Sequence, residues 1–230
     1  MATFVNSTGF SGSFPGSRTP ITSSYTAGTG TNRMLVIGVF SNGSGSPASS
    51  GVTYGGVAMT VVGFLDRGPD GSQITVYALV NAPTGANNFV LSCNLIYVSV
   101  VVDVLEFAGF AQSVPTNYAA LSQLTSGSSS NMPITTLVNN SWAVCFLCDN
   151  GGGSNFIFNT GTKREQYGNG NAAADSNGPV TPAGTYTFNA NSSSGDYFGS
   201  IVVELPVAAA AASLPLPVMV QQSISRSNSY

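Results

Sequence analysis

Carboxylates are the side chains of this sequence whose spacing comes closest to a reactive site. One pair, Asp103 and Glu106, lies in a long apolar segment, and a second pair, Asp66 and Asp70, lies in one loop, where Asp70 is part of a Pro-Asp-Gly turn. Two carboxyl groups about 5–10 Å apart can hydrolyse a glycosidic bond, and a loop rich in carboxylate and carbonyl oxygens can bind Ca²⁺. Residues three apart on a strand point to opposite faces, so Asp103 and Glu106 are predicted not to converge. Asp66 and Asp70 can approach each other, but exposed loop acids are most often simply solvated.

The three cysteines are the other reactive groups. Cys145 and Cys148 have the C-x-x-C spacing of redox and metal sites, whereas Cys93 lies far away in the sequence. Both residues of the pair fall inside the apolar run 141–148, which is typical of a strand. Because residues three apart on a strand face opposite sides of the sheet, the two thiols are predicted to be separate core residues.

The composition argues against catalysis. The chain of 230 residues has no histidine, and only 7% of its residues are charged. Histidine is the side chain whose unperturbed pKa lies near neutrality, and without it a Ser-His-Asp or Cys-His site is excluded within this chain. We therefore predict that the protein is not an enzyme and has no catalytic residue, cofactor or metal site. The net charge of −3 and the scattered arginines also argue against binding to nucleic acid.

Strands are the elements that must position these residues. Segments rich in β-branched and aromatic residues alternate with Gly, Ser and Asn, which predicts an all-β sandwich or barrel. Asn139 and Asn140 tolerate left-handed backbone and are predicted to close a hairpin between their flanking strands. Residues 112–124 are predicted to hold one short helical turn. The predicted strands are residues 33–40, 57–64, 73–80, 88–93, 95–107, 134–138, 141–148, 184–189 and 197–205.

The remaining charged residues are predicted to be solvated. Glu204 is expected on the solvent face of its strand, Arg33 at a sheet edge, and the cluster Lys163-Arg164-Glu165 at a hairpin end. Five aromatic residues near loops offer an alternative role, since rings can stack on sugars or fill an interface. These residues are Tyr118, Phe156, Phe158, Tyr167 and Tyr186.

The C-terminal segment 208–230 differs from the rest and is predicted to form an extended apolar arm beyond a sandwich domain of residues 1–207. Its alternating prolines disfavour both helix and central strand and favour a polyproline-like path. We expect the arm to lie in a groove of its own body or of a neighbouring subunit; a frayed terminus is the alternative. The predicted interface residues of the arm are Leu214, Pro215, Leu216, Pro217, Val218, Met219, Val220, Ile224 and Tyr230.

The sequence predicts neither a signal peptide nor a membrane-spanning segment. The N-terminal residues have no basic segment followed by an apolar core, so no signal peptide is predicted. The apolar stretch 95–105 is too short to span a bilayer. We therefore expect synthesis in the cytoplasm and no membrane partner.

Several ordered segments resemble the β-sandwich modules found in tailed-phage virion proteins and some bacterial surface proteins. The segments that resemble the pattern are residues 32–39 (NRMLVIGV), 52–60 (VTYGGVAMT), 76–80 (VYALV), 89–92 (FVLS), 102–109 (VDVLEFAG) and 199–205. The resemblance covers roughly residues 30–205. It implies a two-sheet antiparallel, jelly-roll-like sandwich and a structural role in the virion, and it supplies no catalytic residues.

The resemblance, the low charge and the apolar arm together lead to a functional hypothesis. The protein is expected to be a capsid decoration (cement) protein on the capsid surface. It would form a homo-oligomer, with a trimer expected, and would bind the major capsid protein. The alternative is a tail-associated or fibre receptor-binding module that recognises cell-surface glycans. A glycan-degrading enzyme that uses Asp66 and Asp70 is a third hypothesis.

Overall fold

The computed structural model describes residues 1–14, 19–42, 49–66, 72–93, 98–149 and 155–208, and within them the fold is built from β-strands alone. All strand pairs in this part of the chain are antiparallel, and they form three sheets that we name the middle, small and large sheets. The predicted all-β antiparallel sandwich is confirmed, and a third sheet is added to it. The described residues contain no helix that is long and apolar enough to cross a membrane.

The middle sheet has five strands and takes most of its residues from continuous apolar runs. Its central strands are hydrophobic on both faces because each face is covered by another sheet. Along Val98–Ala108, for example, Val102 and Val104 face the small sheet, and Leu105 and Phe107 face the large sheet. In spatial order the strands are β1 (Thr3–Phe14), β9 (Val98–Ala108), β3 (Met34–Asn42), β7 (Ser72–Val80) and β6 (Thr60–Asp66).

The small sheet covers one face of the middle sheet. Gly55 and Gly56 have positive φ angles of 58° and 79° and close a tight hairpin between its last two strands, as expected for a two-residue turn that needs left-handed backbone. A cluster of aromatic and aliphatic residues, among them Tyr54, Phe89 and Phe10, fills the space between the two sheets. Its strands are β2 (Ile21–Ala27), β8 (Gly85–Cys93), β4 (Ser49–Tyr54) and β5 (Val57–Ala58).

The large sheet covers the opposite face of the middle sheet. Its strands are β10 (Tyr118–Thr135), β15 (Thr185–Leu205), β11 (Trp142–Asp149), β14 (Asn171–Asp175) and β13 (Thr162–Glu165), with β12 (Phe156–Thr160) paired to β15. The predicted hairpin at Asn139-Asn140 is wrong, because β15 lies between β10 and β11. Asn140 does have a positive φ of 65°. The turn therefore crosses over the end of β15 instead of joining neighbouring strands.

The large sheet also folds over itself. Alternate residues of β11 face two different cores: Phe146 faces the middle sheet, and Cys145 and Leu147 face away from it. The outer core also contains Met132 of β10 and Phe188 of β15. The segments 129–135 and 185–192, together with β12, therefore cover the outer face of β11 and β14 as a fourth layer, which we name the fold-back layer.

Two further predictions about secondary structure are corrected. Residues 118–124 belong to strand β10, so the predicted helical turn over 112–124 is wrong. Residues 184–189 and 197–205 were expected as separate strands, but residues 185–189 and 197–205 belong to the single strand β15. The C-terminal arm from residue 209 onward lies outside the described residues.

Candidate functional site

Most of the charged side chains that the structure describes are buried. Among the charged residues whose side chains are described, only Lys163 is exposed, and Asp66, Arg164 and Glu165 are half-buried. Charged residues are almost never buried unless they have a partner. The buried ones are Arg33, Asp103, Glu106, Asp149, Asp175 and Glu204.

Arg33 and Glu106 form a buried ion pair between the middle and small sheets. The Arg33 Nη1 atom lies 3.4 Å from Glu106 Oε1 and also donates to the Gly28 carbonyl at 2.9 Å. Glu106 accepts two further hydrogen bonds, from the Tyr25 hydroxyl at 2.8 Å and from the Gly28 N–H at 3.0 Å. Burial and the neighbouring Glu106 carboxylate raise the pKa of Tyr25. The prediction that Arg33 lies at a sheet edge is wrong, because this residue joins two layers.

Asp103 lies on the opposite face of β9, between the middle and large sheets. The prediction that Asp103 and Glu106 do not converge is therefore confirmed. The Asp103 carboxylate accepts from Asn171 Nδ2 at 2.8 Å and from the Tyr167 N–H at 3.3 Å. Burial raises the pKa of Asp103 to about 7, although these two hydrogen bonds oppose the shift. No cation is among the described hydrogen-bond partners of Asp103.

Glycines on both sides of Asp103 let the large sheet approach closely. Gly9 of β1 and Gly38 of β3 are the direct cross-strand neighbours of Asp103. A Cβ atom on Gly9 would lie 2.2 Å from the Tyr167 side chain, and one on Gly38 would lie 2.3 Å from the Phe146 ring. Asp103 is thus enclosed by aromatic side chains and amides rather than by an open cleft.

Arg164 joins the large sheet to the edge of the middle sheet. Its Nε atom donates to Asp175 Oδ2 at 2.8 Å, and its guanidinium lies 4.3 Å from the centre of the Phe4 ring, a distance typical of a cation–π contact. Burial raises the pKa of Asp175, although the Arg164 hydrogen bond and charge oppose this shift. The prediction of a solvated hairpin end is therefore wrong for Arg164.

Glu204 is buried and fixes the turn that crosses the end of β15. Its carboxylate accepts from the backbone N–H groups of Leu137 at 2.9 Å and Val138 at 3.0 Å, and from Asn117 Nδ2 at 2.6 Å. Burial alone would raise its pKa, but these hydrogen bonds lower the pKa below the usual value. The prediction that Glu204 faces solvent is wrong. Its carboxylate accepts hydrogen bonds from backbone N–H groups of the turn, in place of the carbonyl groups of a neighbouring strand.

The cysteines occupy the places predicted for them. Cys145 contacts the core under the fold-back layer, Cys148 contacts the core against the middle sheet, and neither is in a disulfide. Burial raises the pKa of the Cys145 thiol well above its usual value, which disfavours the reactive thiolate. Within the described part of the chain, no group of three His, Cys, Asp or Glu side chains is placed to hold a metal ion.

The two outermost layers expose uncharged polar side chains. The strands of the small sheet contain no charged residue, and their outward-facing side chains include Thr22, Ser24 and Asn88. On the fold-back layer, Asn159 Nδ2 donates to Asn189 Oδ1, and Asn189 Nδ2 donates to Asn131 Oδ1 at 2.7 Å. This amide ladder crosses the three neighbouring strands β12, β15 and β10. The small sheet can therefore contact another surface without placing a charge against it. At the fold-back layer the nearest described charge is Lys163, whose ammonium donates to the Phe156 carbonyl of β12 at 2.9 Å.

The loop aromatics do not form one binding platform. Phe156 is buried, and Phe158 and Tyr186 pack against the outer core. Tyr118 and Tyr167 are exposed, but they cover Gly63 of β6 and Gly9 of β1. Because β6 and β1 are opposite edges of the middle sheet, these two rings lie on different sides of the molecule.

A cavity of about 680 Å³ lies at the end of the sandwich where the described chain stops. Apolar groups dominate its wall, including the ring of Trp142, and the polar side chains that line it are uncharged, although Met1 of the wall carries the N-terminal amino group. Gly109, which has a φ of 84°, lets the first residues approach here, since a Cβ atom on it would lie 2.5 Å from the Met1 carbonyl oxygen. The lining residues that matter below are Thr31, Asn32, Asn140, Trp142, Val207 and Ala208.

Most residues of the predicted loop site and of the predicted arm lie outside the described residues. Asp66 is half-buried at the end of β6, whereas Asp70 lies outside the described residues, as do all nine predicted arm residues.

Comparison with known proteins adds no identification: no protein-family model matches the chain, and no curated protein sequence is significantly similar to it.

Proposed function

We propose that this chain is a structural protein of a phage virion, namely a capsid decoration protein that sits on the shell as a homo-oligomer, with a trimer as the expected form. The observation that supports this best is the distribution of charge. Six of the charged side chains are buried, and in the described residues the strands of both outermost layers contain no charged residue. A surface with little charge has little self-repulsion, which suits ordered assembly.

The mechanism is mechanical rather than chemical. Uncharged outer faces bury hydroxyl and amide groups against the major capsid protein or a second copy, where hydrogen bonds replace those to water. The apolar arm adds contact area in the assembly. Neither contribution requires a catalytic residue or a cofactor.

A tail-associated module that binds cell-surface glycans is the second candidate. The Asn131–Asn189–Asn159 ladder favours it, because fixed side-chain amides can donate to and accept from sugar hydroxyl groups. The absence of a shared aromatic platform among Tyr118 and Tyr167 argues against it, since sugar sites commonly use ring stacking.

Copy number distinguishes the two candidates. Quantitative mass spectrometry of purified virions that contain this chain would give its ratio to the major capsid protein. A decoration protein is expected at hundreds of copies in a simple ratio to capsid subunits. A dozen copies or so would favour the tail-associated module, and absence from particles would overturn both proposals.

A further inference from the structure

The cavity at the end of the sandwich lies directly beside the start of the C-terminal arm. Ala208, the last described residue, is part of its wall, as is Val207. The Ala208 N–H donates to the Gly109 carbonyl at 3.1 Å, and Val207 forms a β-bridge with Phe110. The body of the protein therefore delivers the arm to this cavity in a fixed position.

We propose that this cavity binds the apolar segment 214–220 (Leu-Pro-Leu-Pro-Val-Met-Val) of the same chain. Grooves lined by aromatic side chains bind proline-rich segments because an extended polyproline conformation is already ordered before binding. Here Trp142, a core residue that is 7% exposed, presents one edge of its ring to the cavity. The volume of about 680 Å³ is within the range of ligand pockets. Thr31, Asn32 and Asn140 supply uncharged polar groups for the carbonyls of a segment whose prolines cannot donate hydrogen bonds.

The turn that brings Asn140 to the cavity also exposes two apolar side chains. Leu137 and Val138, which precede Asn140 in the same turn, are 71% and 46% exposed. Glu204 holds the backbone of both residues through the hydrogen bonds described above. The turn thus presents two apolar side chains in a fixed place, and the uncharged segment 214–220 is complementary to them.

Distance favours the arm of the same chain over that of a neighbour. Only five residues, 209–213, separate Ala208 from Leu214, and five residues span at most about 17 Å. A segment on so short a tether has an effective concentration in the millimolar range, which exceeds the micromolar concentration of free neighbours in dilute solution. The inference deepens the proposed function, because it names the surface that holds the arm before assembly.

Trp142 is a suitable probe, because it is the only tryptophan of the chain. We would measure acrylamide quenching of its fluorescence in the full-length protein at 1 and 100 µM. The test variant is Leu216→Asp/Val218→Asp, which places two charges in the apolar segment. The matched control is Ser225→Asp/Asn228→Asp, which adds the same charge to the polar end of the arm. Far-UV circular dichroism verifies that each variant is folded.

The proposal predicts a quenching constant at least threefold higher for Leu216→Asp/Val218→Asp than for the wild type, with the control unchanged and with no dependence on concentration. Equal quenching in all folded proteins would overturn the proposal. Quenching that decreases on raising the concentration would also overturn it, because the arm would then come from a neighbour. This result is independent of the virion copy number, so the two proposals can fail separately.

Discussion

Glu106 and Asp103 lie three residues apart on β9 and face different layers, and the protein treats these two buried carboxylates differently. Glu106 is paired with Arg33 and accepts from a tyrosine hydroxyl and a backbone N–H. Asp103 has one amide side chain and one backbone N–H as its described donors. The first site has a cation to compensate the buried charge, and the second has none among its described partners.

This difference indicates which buried charge is compensated in the folded protein and which is not. A buried pair that keeps both partners is close to neutral in energy, whereas a single buried charge is expensive. The ionised form of Glu106 is thus compatible with the folded state. Burial disfavours the ionised form of Asp103. As the pH approaches neutrality, the interface between the middle and large sheets is therefore the one that must accommodate an uncompensated negative charge.

Removing the Arg33 guanidinium is expected to cause the largest change in stability. Arg33→Met leaves Glu106 buried and unpaired, which should lower the free energy of unfolding by about 3–5 kcal/mol. Urea denaturation at pH 7 would measure the change. The double variant Arg33→Met/Glu106→Leu should recover part of the loss, and a single variant as stable as the wild type would show that the pair is not needed.

The pH dependence of stability tests the other site. The pKa of Asp103 is raised from 3.8 to about 7 in the folded protein, so the folded state keeps a proton that the unfolded chain releases between these values. Stability should therefore fall as the pH rises from 4 to 7 and level off above 7, by up to about 4 kcal/mol at about 1.4 kcal/mol per pKa unit. Asp103→Asn should remove this slope; a variant that retains the wild-type slope would assign it to another group.

The contribution of Glu204 to stability should change with pH in the opposite direction to that of Asp103, and by a smaller amount. Its pKa is lowered in the folded protein, so the stability that it contributes is present above pH 4.5 and is lost as the pH falls through the lower folded value. At pH 7, Glu204→Gln should lower the free energy of unfolding by about 1–3 kcal/mol, since the amide cannot accept from Leu137, Val138 and Asn117 together. The difference from wild type should shrink on acidification, and a constant difference would contradict this account.

Apolar runs made the central strands of the middle sheet predictable, whereas the polar edge strand β1 and the alanine-rich strand β14 were not predictable. Residues 33–40 and 73–80 are buried on both faces and therefore stand out as continuous hydrophobic segments. Strand β1 is rich in Gly, Ser and Asn, and β14 is the short sequence Asn-Ala-Ala-Ala-Asp. Such segments become strands because neighbours pair with them, which local sequence does not reveal.

The candidate site was harder to predict because charge burial depends on distant partners. Glu204 follows an apolar alternation that predicts a solvent-facing side chain, but the turn after β10 crosses β15 and covers it. A signal for Glu106 and Arg33 was available, since single charges within continuous apolar runs rarely remain unpaired. The strand order β10-β15-β11, which places the turn over Glu204, is set by pairing over long sequence distances.

The most direct test of the account is whether the uncharged outer faces bind the shell. We would mix capsids that lack the protein with Asn88→Lys on the small sheet, Asn191→Lys on the fold-back layer, and Ser11→Lys on edge strand β1 as a control of equal charge. Bound copies per capsid would be counted by mass spectrometry. The account predicts that at least one outer-face variant loses tenfold or more in occupancy while Ser11→Lys binds like the wild type. Wild-type occupancy by both Asn88→Lys and Asn191→Lys would contradict it.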